Sequence, residues 1–184
     1  MTDPVSRPGA RWRTDLLALV PLRVEHAEEM AEVLSDPALH TFMGGEPSDA
    51  KALRRRYERL VAGSPDPAVT WCNWVLEWRA TGELTGTVQA TVTTVTSTTT
   101  TPTATSPRTP TAEIAWVVGT AWQGRGIAKD AARALVELLR EQYGVTVVVA
   151  HVHPEHHASA AVAAAAGLEP TDRMHDGERR WQRG

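Results

Sequence analysis

Trp122-Gln123-Gly124-Arg125-Gly126-Ile127-Ala128-Lys129 stands between a short apolar run, Ala112 to Val118, and a segment in which Ala131, Leu135, Leu138 and Leu139 recur at helical spacing. The run has the length and apolar content of a buried strand, and the segment is an amphipathic helix that reaches Gln142 before Gly144 ends it. A strand passing through a glycine-rich turn into a helix aims several backbone N–H groups and the positive end of a helix dipole at one spot, which is a cradle for an anion. Gly124 and Gly126 let the backbone approach that anion with no side chain between, and Arg125 and Lys129 add charge. The turn matches neither the P-loop pattern nor the GxGxxG dinucleotide pattern, so both of those readings fail at the residue level.

Upstream, Leu16 to Val24 reads as a first strand, and Glu25 to Leu34 carries Ala27, Met30, Ala31 and Leu34 at helical spacing until Asp36-Pro37 stops it. After the loop Gly44-Gly45-Glu46-Pro47, Ser48 is the expected N-cap of a helix over Asp49 to Ala62. Leu53, Tyr57, Leu60 and Val61 form its apolar stripe, with Arg54, Arg55, Arg56 and Arg59 as a solvated face. Val69 to Trp78 alternates with period two but switches parity near Trp74, which signals a bulge or a strand covered on both faces. Ala80-Thr81-Gly82 is the hairpin turn and Glu83 to Val92 the returning strand. Residues 93–111, rich in Thr and Pro, read as a loop insertion, either a tolerated surface loop or a substrate lid or partner-binding tongue.

Downstream, Val145 to Val152 is a β-branched strand, and His157 to Ala166 a helix of small residues ended by Gly167. The tail from Asp172 to Trp181 supplies one or two edge strands around an Asp176-Gly177 turn. This order means α+β, a mixed and mostly antiparallel sheet flanked by helices. The 184 residues are expected to form a single domain, with 1–15 as a flexible tail.

Composition narrows the function. A net charge of -3 argues against a nucleic-acid partner bound by phosphate neutralisation. One cysteine, Cys72, excludes an internal disulfide framework and a CxxC metal site, and no apolar run approaches the roughly 20 residues that span a bilayer. A cytoplasmic protein, with no membrane partner, is expected. Cys72 has no base or cation beside it in Thr70-Trp71-Cys72-Asn73 and reads as structural.

The segment Trp122 to Ala128 resembles the Q/R-x-x-G-x-G/A motif of the GNAT superfamily of acyl-CoA-dependent N-acyltransferases. Leu22-Arg23, Asp36-Pro37, Gly86, Ala112-Glu113-Ile114-Ala115-Trp116 and His153-Pro154-Glu155-His156-His157-Ala158-Ser159 before Gly167-Leu168 fall where that family has counterparts, and look most like its RimJ/RimL branch. The resemblance covers Leu19 to Leu168 and implies a GNAT-like sheet whose fourth and fifth strands splay. It implies acetyl-CoA as co-substrate, its pyrophosphate held by the amides of Gln123, Gly124, Arg125, Gly126, Ile127 and Ala128 with Lys129 nearby, and its pantetheine arm along the backbone of Trp116, Val117 and Val118. Ser159 matches a serine placed to protonate the departing thiolate, and Glu113 a strand carboxylate that serves some members, through water, as general base.

Chemistry agrees with that division. A protonated amine must lose a proton before it attacks a thioester, and a thiolate leaves more easily with a hydroxyl donating to it. Where the family's N-x-x-S element has Asn this chain has His156, which can donate to the pantetheine arm with different geometry, and Leu168 replaces the usual Phe. Ala163 occupies the place of a tyrosine acid used outside this branch, so the acid role falls on Ser159 or water. His151, His153, His156 and His157 include a His-x-His metal-ligand spacing, but Glu155 is the only acid near them, and no metal is expected. The leading expectation is an N-acetyltransferase for a small-molecule or peptide amine, with a homodimer left open. An acyl-CoA-binding module without turnover and a protein acting through its Thr-rich loop are the competing readings.

Overall fold

The computed structural model describes residues 11–94 and 110–184. Its strands are β1 (Trp12–Arg13), β2 (Leu17–Pro21), β3 (Val69–Trp78), β4 (Leu84–Thr94), β5 (Pro110–Val118), β6 (Val147–Val152), β7 (Glu169–His175) and β8 (Glu178–Arg183). The helices are α1 (Ala27–Val33), α2 (His40–Met43), α3 (Ala50–Ala62), α4 (Ile127–Tyr143) and α5 (His157–Ala165). All eight strands join one sheet in the order β1-β2-β3-β4-β5-β6-β8-β7. Only β5 and β6 run parallel, because α4 carries the chain back between them; every other pairing is antiparallel.

The sheet is covered on both faces. Leu17, Leu19, Cys72, Trp74, Leu76, Val88, Ile114 and Val148 pack under α4, whose Ala131, Leu135, Leu138 and Leu139 are fully buried, with Val162 and Ala163 of α5 alongside. A second cluster on the other face joins Val75 and Leu84 to Ala27 and Met30 of α1 and to Leu53 and Tyr57 of α3. The parity switch in β3 has its cause here. Neighbouring residues Trp74, Val75 and Leu76 are buried in opposite clusters, and a register irregularity follows at Leu76/Glu77.

Several local expectations are corrected. The tail expected over 1–15 does not include Trp12, which pairs with Leu19 and packs against the main core. Thr14 also donates from its hydroxyl to Asp130 on α4, tying this end down, while residues 1–10 lie outside the described residues. Of the insertion 93–111, Thr93 and Thr94 lengthen β4 and pair with Thr111 and Pro110, as β-favouring threonine allows; residues 95–109 lie outside the described residues. Asp49, not Ser48, caps α3: its backbone is extended and its carboxylate accepts from the Ala52 N–H at 2.6 Å, where negative charge also meets the helix dipole. Between Asp36 and Gly44 the chain is helical, because the Asp36 carboxylate caps the Ala38 N–H at 2.8 Å and starts a 3-10 turn that continues into α2. The C-terminal hairpin forms around Asp176-Gly177, but only β7 is an edge; β8 inserts between β6 and β7.

One glycine is required by packing. A Cβ on Gly86 would stand 2.2 Å from the Val117 carbonyl oxygen, since β4 crosses β5 there at backbone contact. Gly86→Ala is expected to destabilise the fold by about 1–3 kcal/mol, the usual cost of overpacking, read as a lower urea midpoint with unchanged slope.

Candidate active site

The site begins where a ladder ends. β5 pairs with β6 at Thr111↔Val147, Ala112↔Val148 and Glu113↔Val149, and no further rung follows. Beyond Glu113 each strand stays bonded on its outer side, β5 to β4 as far as Val118 and β6 to β8 as far as Val152. The two strands therefore diverge, opening a cleft from Ile114 onward. The Gly119 N–H donates to the Thr85 carbonyl on β4 at 2.9 Å, which sets the phase of the strand. By alternation Val117 also turns its backbone groups to β4, and the N–H and C=O of Ile114, Trp116 and Val118 face the cleft. Of the backbone expected from sequence, Trp116 and Val118 thus line the opening and Val117 does not.

At its far end the cleft meets the glycine turn. Gln123 donates from Nε2 to the Val118 carbonyl at 3.1 Å, locking the turn to the end of β5. Gly124 and Gly126 sit at φ +77° and +80°, left-handed values that favour glycine, and nothing stands within 4 Å of where either Cβ would be. Gly126 is the N-cap of α4 and no side chain caps the helix, so the first amides of a 17-residue helix stay open toward that space. Arg125 folds back on the turn: its guanidinium lies 4.8 Å from the Trp122 ring centre and donates to the Ala121 carbonyl at 3.3 Å. Trp122 is braced in turn by Trp78 at 6.1 Å, and Lys129 is exposed on the first turn of α4.

The opposite wall is α5. His156 is its N-cap, with the ring stacked on Phe42 of α2 at 4.3 Å and 19°, and His153 lies 5.3 Å from the same phenyl ring. Ser159, one turn on, is half-buried, and its hydroxyl has no hydrogen-bond partner among the described residues. Glu113 stands at the apex of the cleft, its side chain 61% exposed, with Oε1 3.3 Å from Nδ1 of His151.

A family profile described as an acetyltransferase (GNAT) domain matches residues 17–169. The chain belongs to the GNAT acetyltransferase family. No curated protein sequence matches it. Among solved structures it is similar to an acetyltransferase from Agrobacterium tumefaciens, at 22% identity and TM-score 0.68 with 100% of this chain and 99% of that one covered. It is also similar to RimL, a ribosomal α-N-protein acetyltransferase solved with coenzyme A, at 13% identity and TM-score 0.70, covering 95% and 97% of the two chains. A third is the microcin self-immunity acetyltransferase MccE, solved with acetyl-CoA and AMP, at 13% identity and TM-score 0.68 over 92% and 93%. At these identities the likeness to the solved structures is one of fold.

In this GNAT domain the histidine-rich segment is divided between two places. His151 faces Glu113 and His175, whose ring lies 5.3 Å away, while His153 and His156 lie against Phe42. Among the described residues no group of three or more His, Cys, Asp or Glu side chains is arranged to hold a metal ion. Cys72 is buried in the main core, and that burial pushes its thiol upward despite a hydrogen bond with the Tyr143 hydroxyl, so it is poorly suited to act as a nucleophile. Two residues of the site went unread in the sequence. Phe42 carried one signal, being the sole phenylalanine, and His151 was visible only through its spacing from His153.

Burial, and then the neighbouring His153 and His157, hold His156 below the ordinary histidine range. The unfolded chain therefore binds a proton near pH 6.5 that the folded chain takes up only at lower pH, so stability is lost as pH falls from 6.5. His156→Asn is expected to flatten that acid-side loss, measured as thermal midpoints between pH 7.5 and pH 5, about one and a half units below an ordinary histidine. An unchanged slope would assign the loss elsewhere.

Proposed function

We propose that this GNAT domain is an N-acetyltransferase that moves an acetyl group from acetyl-CoA to a primary amine by direct attack, with no covalent enzyme intermediate. The observation that carries this reading is the β5 edge from Ile114 to Val118, which has no β6 partner and leads to the uncapped N-terminus of α4, with only the Val118 carbonyl taken, by Gln123. An extended arm that offers amides completes the first, and a pyrophosphate suits the second. The residues present fit such a co-substrate: nothing stands within 4 Å of where a Cβ on Gly124 or Gly126 would be, and no side chain caps the first amides of α4, whereas the Gln123 N–H donates to the Thr120 carbonyl at 3.2 Å and is not part of the cradle. Gln123 and Lys129 flank it, and Arg125, held on Trp122, contributes charge from a fixed position.

In this reading Glu113, exposed at the apex, accepts the ammonium proton through a water, after which the amine nitrogen bonds to the thioester carbonyl carbon. The carbon–sulfur bond breaks as Ser159 donates its proton to the departing sulfur. The second proton, released by the acylated nitrogen, returns through water to the serine oxygen, leaving the amide, the free thiol and a protonated Glu113 that gives its proton to solvent. His156 donates to the arm from the start of α5 in place of an amide. The acceptor is a small-molecule or peptide amine, reached from the side of α1 and α3. RimL acts on a ribosomal protein, which makes peptide N-termini a first acceptor to try. Among the described residues no helix is long and apolar enough to cross a membrane. The cytoplasmic location in this proposal rests on the lone cysteine of the sequence. A homodimer is compatible with this arrangement.

Calorimetry with acetyl-CoA is expected to give one-to-one binding that Gly126→Trp removes, because the new side chain fills the cradle. Turnover on a panel of peptide N-termini, spermidine and kanamycin should then fall about 10²- to 10⁴-fold in Glu113→Gln, the worth of a general base, with acetyl-CoA affinity unchanged. Binding with no turnover on any amine would favour a non-catalytic acyl-CoA-binding module instead.

A further inference from the structure

Glu113 and His151 meet where β5 and β6 lose their backbone rungs. Ala112 and Ile114 of β5, with Val148, Ala150 and Val152 of β6, are buried under α4 and α5, so by alternation Glu113 and His151 project from the opposite face. Glu113 is the last β5 residue paired to β6, and His151 is the next β6 residue on that face beyond its partner Val149. Across the widening gap, His151 Nδ1 lies 3.3 Å from Glu113 Oε1. A carboxylate only accepts, so the hydrogen is on Nδ1.

The imidazole is held while the carboxylate is open. The His151 side chain is 15% exposed against 61% for Glu113. Its ring lies 5.3 Å from that of His175 on β7, and Arg180 of β8 is its direct cross-strand partner. His175 in turn has Asp176 at 3.5 Å, so the charged or titratable groups around the ring are Glu113, His175, Arg180 and, one step out, Asp176. One carboxylate oxygen of Glu113 is therefore tied to a fixed donor, and the other has no hydrogen-bond partner among the described residues.

We infer that His151 is a positioning residue for the transfer reaction: through Nδ1–H it holds one oxygen of Glu113 so that the other stays aimed at the amine side of the cleft. The inference rests on the acetyl-transfer reading above. His151 touches neither the amine nor the acetyl donor; it narrows the rotamers of an otherwise mobile surface carboxylate, a support that catalytic geometry requires. Asparagine can place an N–H near the position of Nδ1 without a titratable ring, and alanine cannot.

The test uses the full chain, acetyl-CoA and whichever amine of the panel turns over fastest. His151→Ala is expected to lower kcat about 10-fold, a fraction of the 10²- to 10⁴-fold that a general base supplies, with acetyl-CoA Kd and amine KM within about two-fold, a small change on the affinity scale. His151→Asn should recover most of that kcat, and in a Glu113→Gln background His151→Ala should add nothing further. Independently of turnover, nitrogen-15 spectra should show the Nδ1–H tautomer at His151 and a shift of its ring signals in Glu113→Gln. A loss in His151→Ala that multiplies with that of Glu113→Gln, a failure of asparagine to rescue, or ring signals blind to Glu113→Gln would each overturn the inference. Absent acetyl-CoA binding or an inert Glu113→Gln would instead overturn the acetyl-transfer reading, and the nitrogen-15 result would still decide the contact.

Discussion

The parting of β5 and β6 after Glu113 is the constraint on which the rest of the molecule depends. Each strand is bonded along its outer edge, to β4 and to β8, so the sheet is two halves joined by three parallel rungs and by the helix that crosses between them. α4 bridges both halves, burying Leu135, Leu138 and Leu139 over a core that includes Ile114 on one side and Val148 on the other. Inward-facing backbone groups on Ile114, Trp116 and Val118 are left without strand partners, and such groups are costly when water is excluded from them. A cleft of this kind favours a ligand that supplies amides of its own.

Charge and shape at the mouth follow from the same geometry. The crossover helix has to start where β5 ends, so its open amides fall at the far end of the cleft, and two left-handed glycines keep the approach clear. With a net charge of -3, positive charge at this end is local: a helix terminus, one lysine and an arginine held against Trp122, which the proposed co-substrate's phosphates would meet. Indoles serve here as braces. Trp78 and Trp122 stiffen the turn from below, and Trp12, on a two-residue strand, closes the core beside them.

Much of this was legible along the chain because it is local. Val69–Trp78 and the Gly144 end of α4 agree with periodicity and cap chemistry, and the glycine turn agrees with the motif and with the family profile over residues 17–169. The misses were also physical. Choosing Asp49 over Ser48 depended on which backbone turned extended, and the strand at Trp12 on a partner that lies seven residues later in the fold. β8 looked like an edge because short polar strands read as exposed, whereas the register places it inside the sheet.

By itself the sequence determined the elements, their order and the glycine turn that opens α4, since each is set by side-chain period and by glycine or cap chemistry within a few residues. Tertiary structure alone decided which β5 backbone groups open to the cleft, that His156 lies under Phe42, and that Glu113 meets His151 across 38 residues of chain. Those relations depend on strand order and register. A shift of one residue along β6 would turn His151 to the other face and leave every local pattern in the sequence unchanged.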